Sequence, residues 1–303
     1  MIKNIQIDTT GFCGSQCWYC PVRYIPRPTQ GIMKDFEFRN ILEEAANLNP
    51  KPGLWLAAYN DILLDPLLEF RLEAMRDYGF AFAVITNGIG LSKNGPLLYK
   101  YRDVIAGFSI DVPAGNAKDY KRFTLNSSDV FDQIILGITL LYNNYSDAFG
   151  NMLNITVNGV YDDEYARNQL KFPMPMGDTD KQIAQLTELL PFAKVNGARP
   201  LCDRAGNLAE FAIDNSTSPC RDNWKLPMGA TKASGCNAGD RLESWLHFAS
   251  NLDVYTCCQD YRQVHTYANK LGRSLQDIID SQERKVAIAY SLEDLCPKCQ
   301  FSF

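Results

Sequence analysis

Histidine is scarce. The 303-residue chain holds two, His247 and His265, too few for a His-rich zinc site and a poor supply for a His-based catalytic triad. Long apolar runs are missing as well. Nothing approaches the ~20 residues that a membrane-spanning helix needs, and the opening MIKNIQIDTTGFC lacks the apolar core of a secretion signal. The expectation is a cytoplasmic protein with no membrane partner. Nor is there a surplus of positive charge: 30 Lys and Arg stand against 35 Asp and Glu, for a net charge of -5. No basic run offers a footprint for a nucleic-acid backbone, which argues against a dedicated nucleic-acid binder but leaves open an enzyme acting on one nucleotide. Internal repeats and low-complexity tracts are not found.

Cysteine, by contrast, is plentiful. Hydrophobic residues make up 46% and charged residues 21%, as in a soluble globular chain, and ten cysteines are spread over it. In a reducing compartment, thiols at this density act as metal ligands or reactive groups more often than as disulfides.

The first two thirds alternate β-rich and helical runs. KNIQIDTT, LWLAAY, FAFAVITNG, VIAGFSIDV, MLNITVNGVY and FAKVNGA read as strands. DFEFRNILEEAANL, LLEFRLEAMRDYG, DVFDQIILGITLLYNN and DKQIAQLTELL read as helices, the second stopped at Gly79. About six β-α units predict a parallel sheet with helices outside, an α/β partial (β/α)6 TIM-type barrel over residues 1–200. In such folds the chemistry sits at the C-terminal ends of the strands. Strong periodicity then fades apart from SLQDIIDS. Seven of the ten cysteines fall here: Cys202, Cys220, Cys236, Cys257, Cys258, Cys296 and Cys299. Residues 201–303 are expected to form a small, cysteine-rich auxiliary domain held by metal.

CGSQCWYC places Cys13, Cys17 and Cys20 in the loop after the first strand. No fourth cysteine or histidine is close in sequence. Three thiolates suggest a 4Fe-4S cluster with one iron open to a further ligand; a zinc ion completed by a distant cysteine is the alternative. The spacing Cys-x3-Cys-x2-Cys, with aromatic Tyr19 before the last cysteine, resembles the radical S-adenosylmethionine (radical SAM) enzymes. That resemblance implies S-adenosyl-L-methionine on the open iron, and a 5'-deoxyadenosyl radical that abstracts hydrogen from substrate. It extends along the barrel. LAAYNDILLDP is similar to the family's stretch after the second strand, with Asp61 where Glu is usual and Ile62 where Pro is usual; Asn60 and Asp61 are then expected to hold the methionine amino group. ITNG, with Thr86 and Asn87, ends the third strand as in the family. Ser109 and Asp111, and likewise Asn154, Thr156 and Asn158, fall two apart on one strand face. Polar residues inside a barrel are costly unless satisfied, and lining a cofactor site would satisfy them. RPLCDRAGNL resembles the exit of the sixth strand, with Arg199 or Arg204 to meet a carboxylate.

SGCNAGDRLESWLHFASNLDVYTCCQDY, GRSLQDIIDS and LCPKC follow the order of a SPASM domain in that superfamily. The resemblance assigns Cys236, Cys257, Cys296 and Cys299 to an auxiliary 4Fe-4S cluster, with structural zinc as the alternative. SNLD replaces the usual glycine turn, and YAN the usual Gly-Asn. Cys202 and Cys220 would suit a shortened, twitch-type site. Cys258 is a candidate hydrogen-atom donor, and Asp260 a candidate base in an oxidation; packing and hairpin capping are the plainer roles for both.

The expected activity is radical chemistry on a small metabolite or peptide, ending in dehydrogenation, epimerisation or cross-linking, with an electron donor such as flavodoxin or ferredoxin. Its rivals are a nucleotide-modifying member of the superfamily and a non-catalytic iron–sulfur scaffold. With Cys13 so near the first residue, no N-terminal peptide-recognition domain is expected, which favours a small substrate or a peptide delivered by another protein.

Overall fold

Ile5 and Ile7 alternate with Gln6 and Asp8, so the first strand, β1 (Asn4–Ile7), is two-faced. The isoleucines join the main apolar core, and the polar pair takes the opposite side. This arrangement is read from a computed structural model, which describes residues 1–17, 20–23, 25–57, 59–157, 179–197, 231–236 and 238–299. Tyr19, Asn158, Arg199, Arg204, Cys202 and Cys220 lie outside the described residues.

Six strands follow in chain order: β1, β2 (Gly53–Trp55), β3 (Phe82–Thr86), β4 (Ile105–Asp111), β5 (Leu153–Val157) and β6 (Lys194–Gly197). β1 pairs parallel with β2, and β3 to β6 pair parallel in sequence. This is the α/β partial barrel read from the alternation of elements. The expected helices form as α1 (Asp35–Ala46), α2 (Leu68–Asp77), α5 (Ser128–Phe149) and α6 (Thr179–Leu189). In α1 the buried residues are Phe38, Ile41, Leu42 and Ala45, the helical stripe that faces the sheet. Two further helices, α3 (Leu91–Lys100) and α4 (Ala117–Thr124), escaped the sequence reading. Gly95 and Pro96 interrupt the pattern of α3, and α4 has only eight residues. Asn116 caps α4 by accepting from the Asp119 amide.

The cysteine-rich part completes the first sheet. β7 (Trp245–Phe248) pairs parallel with β1 over Asn4 to Ile7, and the Asp8 amide extends the ladder to the Phe248 carbonyl at 2.8 Å. β8 (Asp253–Tyr255) and β9 (Thr266–Asn269) continue it antiparallel. The hydrogen-bonded sheet therefore runs β2-β1-β7-β8-β9, across the division drawn at residue 200. Helices α7 (Leu275–Asp280) and α8 (Gln282–Glu293) follow, and Ser274 and Ser281 cap them.

One buried ion pair fixes the loop between β2 and α2. Arg71, fully buried, donates from Nε to Asp65 Oδ2 at 3.1 Å and from Nη2 to the Met33 carbonyl, and lies over the Phe38 ring. Asp65 Oδ1 accepts from the Leu67 amide at 2.8 Å, just before α2 begins. Removing one partner leaves the other charge buried and alone. Arg71→Leu is expected to cost about 3–5 kcal/mol, and the Arg71→Leu/Asp65→Leu double variant less, as measured by chemical denaturation.

Candidate active site

The C-terminal ends of β1, β2 and β3 converge on one carboxylate. Asp61, buried in the loop after β2, accepts from the Leu63 amide at 3.0 Å, from Thr86 Oγ1 at 2.9 and 3.0 Å, and from the Asn87 amide at 2.9 Å. Its own amide donates to the Phe12 carbonyl at 2.8 Å, tying it to the residue before Cys13. Asn87 Nδ2 reaches Cys13 Sγ at 3.7 Å. Burial raises the Asp61 carboxyl pKa above its ordinary value, and these donors oppose the rise. With both oxygens engaged by the chain, Asp61 is placed to hold the loop rather than to present a bare carboxylate.

The loop of Cys13, Cys17 and Cys20 is anchored from the other side as well. The Gln16 amide donates to the Thr124 carbonyl at the end of α4, and Asn126 Nδ2 donates to Ser15 Oγ at 3.0 Å. The three cysteines line an open cavity of about 700 Å³ with Tyr59, Asn60, Asp61, Thr86, Asn87, Asp111 and Tyr120 among its walls. Burial pushes the Cys13 thiol up to about 12, and Cys20 and Asp61 add to the effect. A metal in contact with these sulfurs would stabilise the thiolates that burial disfavours, so the donor set fits an iron–sulfur cluster.

The expected cofactor residues separate at this point. Asn60, Asp61, Thr86 and Asp111 reach the cavity. Ser109 lies one rung lower, 3.4 Å from Thr156 Oγ1. Asn154 lies level with Ser109 as its partner across the β4–β5 ladder, and there it is exposed and accepts from Asn196 Nδ2 at 3.0 Å. Residues on one strand face share a direction but not a depth, and on β4 it is Asp111, the last residue, that lines the cavity. Ser15, Tyr59, Tyr120 and Thr124 were not singled out from the sequence, because they sit in loops or in a helix that the pattern did not reveal.

Cys257, Cys258, Cys296 and Cys299 share one buried cluster with Ala233, Leu242 and Leu295. Amides approach two of the assigned sulfurs: Ala238 N lies 3.4 Å from Cys236 Sγ, and Gln259 N 3.5 Å from Cys257 Sγ. Such N–H···S contacts suit thiolates that carry charge onto a cluster. Among the described residues, no group of His, Cys, Asp or Glu is arranged to hold a single metal ion; what is gathered here is a set of thiols. Cys258 is not among the residues that line the large cavity, and it accepts from Arg241 Nη1. A hydrogen bond with Cys257 holds Cys258 well below the ordinary thiol range, and Arg241 and His247 assist. Asp260 accepts from the Val264 amide at 3.1 Å and the His265 amide at 2.8 Å, as a loop cap does.

Asp8 is the functional candidate that the sequence reading passed over. The alternation in NIQID was its signal, since Gln6 and Asp8 share the face opposite the core isoleucines. The Tyr255 hydroxyl donates to Asp8 Oδ2 at 3.4 Å. Burial pushes the Asp8 carboxyl from 3.8 up to about 7, against the pull of Arg27.

No family profile matches the sequence, and no curated protein does. Solved structures do. BtrN in complex with AdoMet and 2-DOIA matches with a TM-score of 0.58 at 14% identity, over 100% of this chain and 99% of that one. anSMEcpe with bound AdoMet and the Cp18Cys peptide matches with a TM-score of 0.59 at 13% identity, over 99% and 86%. SuiB of Streptococcus suis, bound to the precursor peptide SuiA, matches with a TM-score of 0.63 at 12% identity, over 99% and 71%. The chain shares the fold of these structures, with a parallel α/β partial barrel. At this identity the likeness speaks for the fold. No helix among the described residues is long and apolar enough to cross a membrane.

Because folding raises the Asp8 pKa, the folded chain keeps a proton that the unfolded chain releases between pH 3.8 and about 7. Stability therefore falls as pH rises through that window, and the burial penalty is complete above it. Asp8→Asn removes the penalty. Its stability advantage over wild type is expected to widen by about 1 kcal/mol between pH 6 and pH 8, read by parallel denaturation curves.

Proposed function

We propose that the protein is a radical SAM enzyme acting on a small molecule or a peptide. Cys13, Cys17 and Cys20 would hold a 4Fe-4S cluster, and the cavity beside them S-adenosyl-L-methionine. Cys236, Cys257, Cys296 and Cys299 would hold an auxiliary 4Fe-4S cluster. Together the first cluster and S-adenosyl-L-methionine supply, when bound, a 5'-deoxyadenosyl radical for hydrogen abstraction.

The observation that carries the reading is the shared cavity. Three cysteines, Asn60, Asn87 and Asp111 wall one space at the strand ends of the barrel. The residues around it have distinct tasks. Asn60 and Asp111 line the wall and are of the residue types whose side-chain oxygens can accept from a cationic group. Asn87 orients Cys13, and the Asp61–Thr86 clamp keeps Asn87 in place. Tyr59 and Tyr120 give the cavity aromatic walls that limit water. The compared structures lend support, because their bound molecules are AdoMet with either a small molecule or a peptide. Dehydrogenation, epimerisation and cross-linking all begin with the same abstraction. A flavodoxin or ferredoxin would supply the electron.

The test is anaerobic. After reconstitution, the chain is expected to carry about eight irons with matching sulfide, as two 4Fe-4S clusters require, and to release 5'-deoxyadenosine from S-adenosyl-L-methionine under reductant. Cys13→Ala/Cys17→Ala/Cys20→Ala should lose about four irons and all of that product. Twelve irons would bring Cys202 and Cys220 into a third site. A fully loaded, reduced protein that neither binds nor cleaves S-adenosyl-L-methionine would sink the reading.

A further inference from the structure

Beside the large cavity, and sharing Tyr59 with it, lies a second and much smaller recess. The space left between its walls admits one water-sized group. Its walls come from distant parts of the chain: Asp8 after β1, Arg27 after the cysteine loop, Ser250 after β7 and Asp260 after β8. The β1–β7 pairing brings them together. Tyr59 and Tyr261 meet edge to face at 4.7 Å, and Cys20 packs against that pair, so the recess abuts the cysteine loop itself.

Three buried polar atoms at this recess lack a hydrogen-bond partner among the described residues: Asp8 Oδ1, Arg27 Nη1 and Ser250 Oγ. Asp8 and Ser250 are each 5% exposed. A buried polar atom left unpaired costs free energy, so a set of three around one space marks a place meant to be filled. Their chemistry specifies the filler. Asp8 Oδ1 calls for a donor, Arg27 Nη1 for an acceptor, and Ser250 takes either role. An ammonium group would answer Asp8 but oppose Arg27. A carboxylate would answer Arg27 but has no hydrogen to donate to Asp8 Oδ1. A hydroxyl donates to one, accepts from the other and brings no charge into a buried space.

We propose that this recess is a substrate subsite that receives one hydroxyl group, and that the substrate is accordingly a small alcohol, polyol or amino alcohol seated against the cofactor cavity. The proposal rests on the radical SAM reading for the identity of that neighbouring cavity. It makes Asp8, Arg27 and Ser250 the residues that select the substrate by the oxygen beside the carbon to be attacked. A peptide would enter by the same rule, through a serine or threonine side chain.

Four probes on one ring separate the possibilities: trans-1,2-cyclohexanediol, trans-2-aminocyclohexanol, cyclohexylamine and cyclohexanecarboxylate. Their binding is measured by ligand-observed NMR and calorimetry on the cluster-loaded full chain with S-adenosyl-L-methionine present. The two hydroxyl-bearing probes are expected to bind at least tenfold more tightly than the other two. Ser250→Ala and Asp8→Ala should each erase most of that preference, and Asp8→Asn serves if Asp8→Ala does not fold. S-adenosyl-L-methionine binding to wild type in the same cell tests the cofactor reading separately. If the cofactor binds and the four probes bind equally, or none binds because the recess holds only a resident water, the subsite proposal fails while the cofactor reading stands. A preference for the amine or the carboxylate also overturns it. Selective alcohol binding without cofactor binding would keep the subsite and remove the cofactor assignment.

Discussion

The Asp61 carboxylate holds the active end of the barrel in register. It gathers the Leu63 amide, the Thr86 hydroxyl and the Asn87 amide, so the loop after β2 is fastened to the end of β3. Its own amide and Asn87 then reach the segment that carries Cys13. Among the described residues β2 and β3 fall in separate hydrogen-bonded sheets, so no ladder joins these two strand ends. Side-chain chemistry does the joining. A buried carboxylate is expensive unless donors surround it, and here the donors are what must be positioned.

A second dependence runs through β1. Its isoleucines face the core, while Gln6 and Asp8 face the other way. Its free edge takes β7, and that pairing carries the cysteine-rich part of the chain to the barrel. Tyr255 and Ser250 come within reach of Asp8 as a result, from positions more than 240 residues away in sequence. The auxiliary thiols and the small recess are products of one strand pairing. The same dependence explains why the two regions cannot be treated as beads on a string: cutting near residue 200 would expose the edge of β1 and unpair the Asp8 amide.

The alternation of strands and helices was legible because period-two and period-3.6 patterns report local geometry. Phe38, Ile41, Leu42 and Ala45 were readable as one helix face and are all buried. Gly95 and Pro96 hid α3, and eight residues were too few for α4 to show a period. Within the candidate site, Asp61 and Thr86 were visible through their motifs, and the tertiary structure adds that Asp61, at the cavity wall, accepts from Thr86 and two amides. Ser109, Asp111 and Asn154 could be assigned a face but not a depth, since depth depends on strand stagger across the sheet.

Sequence by itself determined the parallel α/β order, the thiol-rich donor sets and the net negative charge. Each of these follows from residue type and spacing along a few turns or strands. What only the tertiary structure decided is who meets whom across the chain: Asn87 with Cys13, Asp8 with Tyr255 and Arg27, Asp65 with Arg71. Those meetings require β1 to choose β2 and β7 as neighbours, and that choice is made by burial of apolar faces over the whole molecule. Local periodicity carries no trace of it, because the free energy that selects it belongs to no single segment.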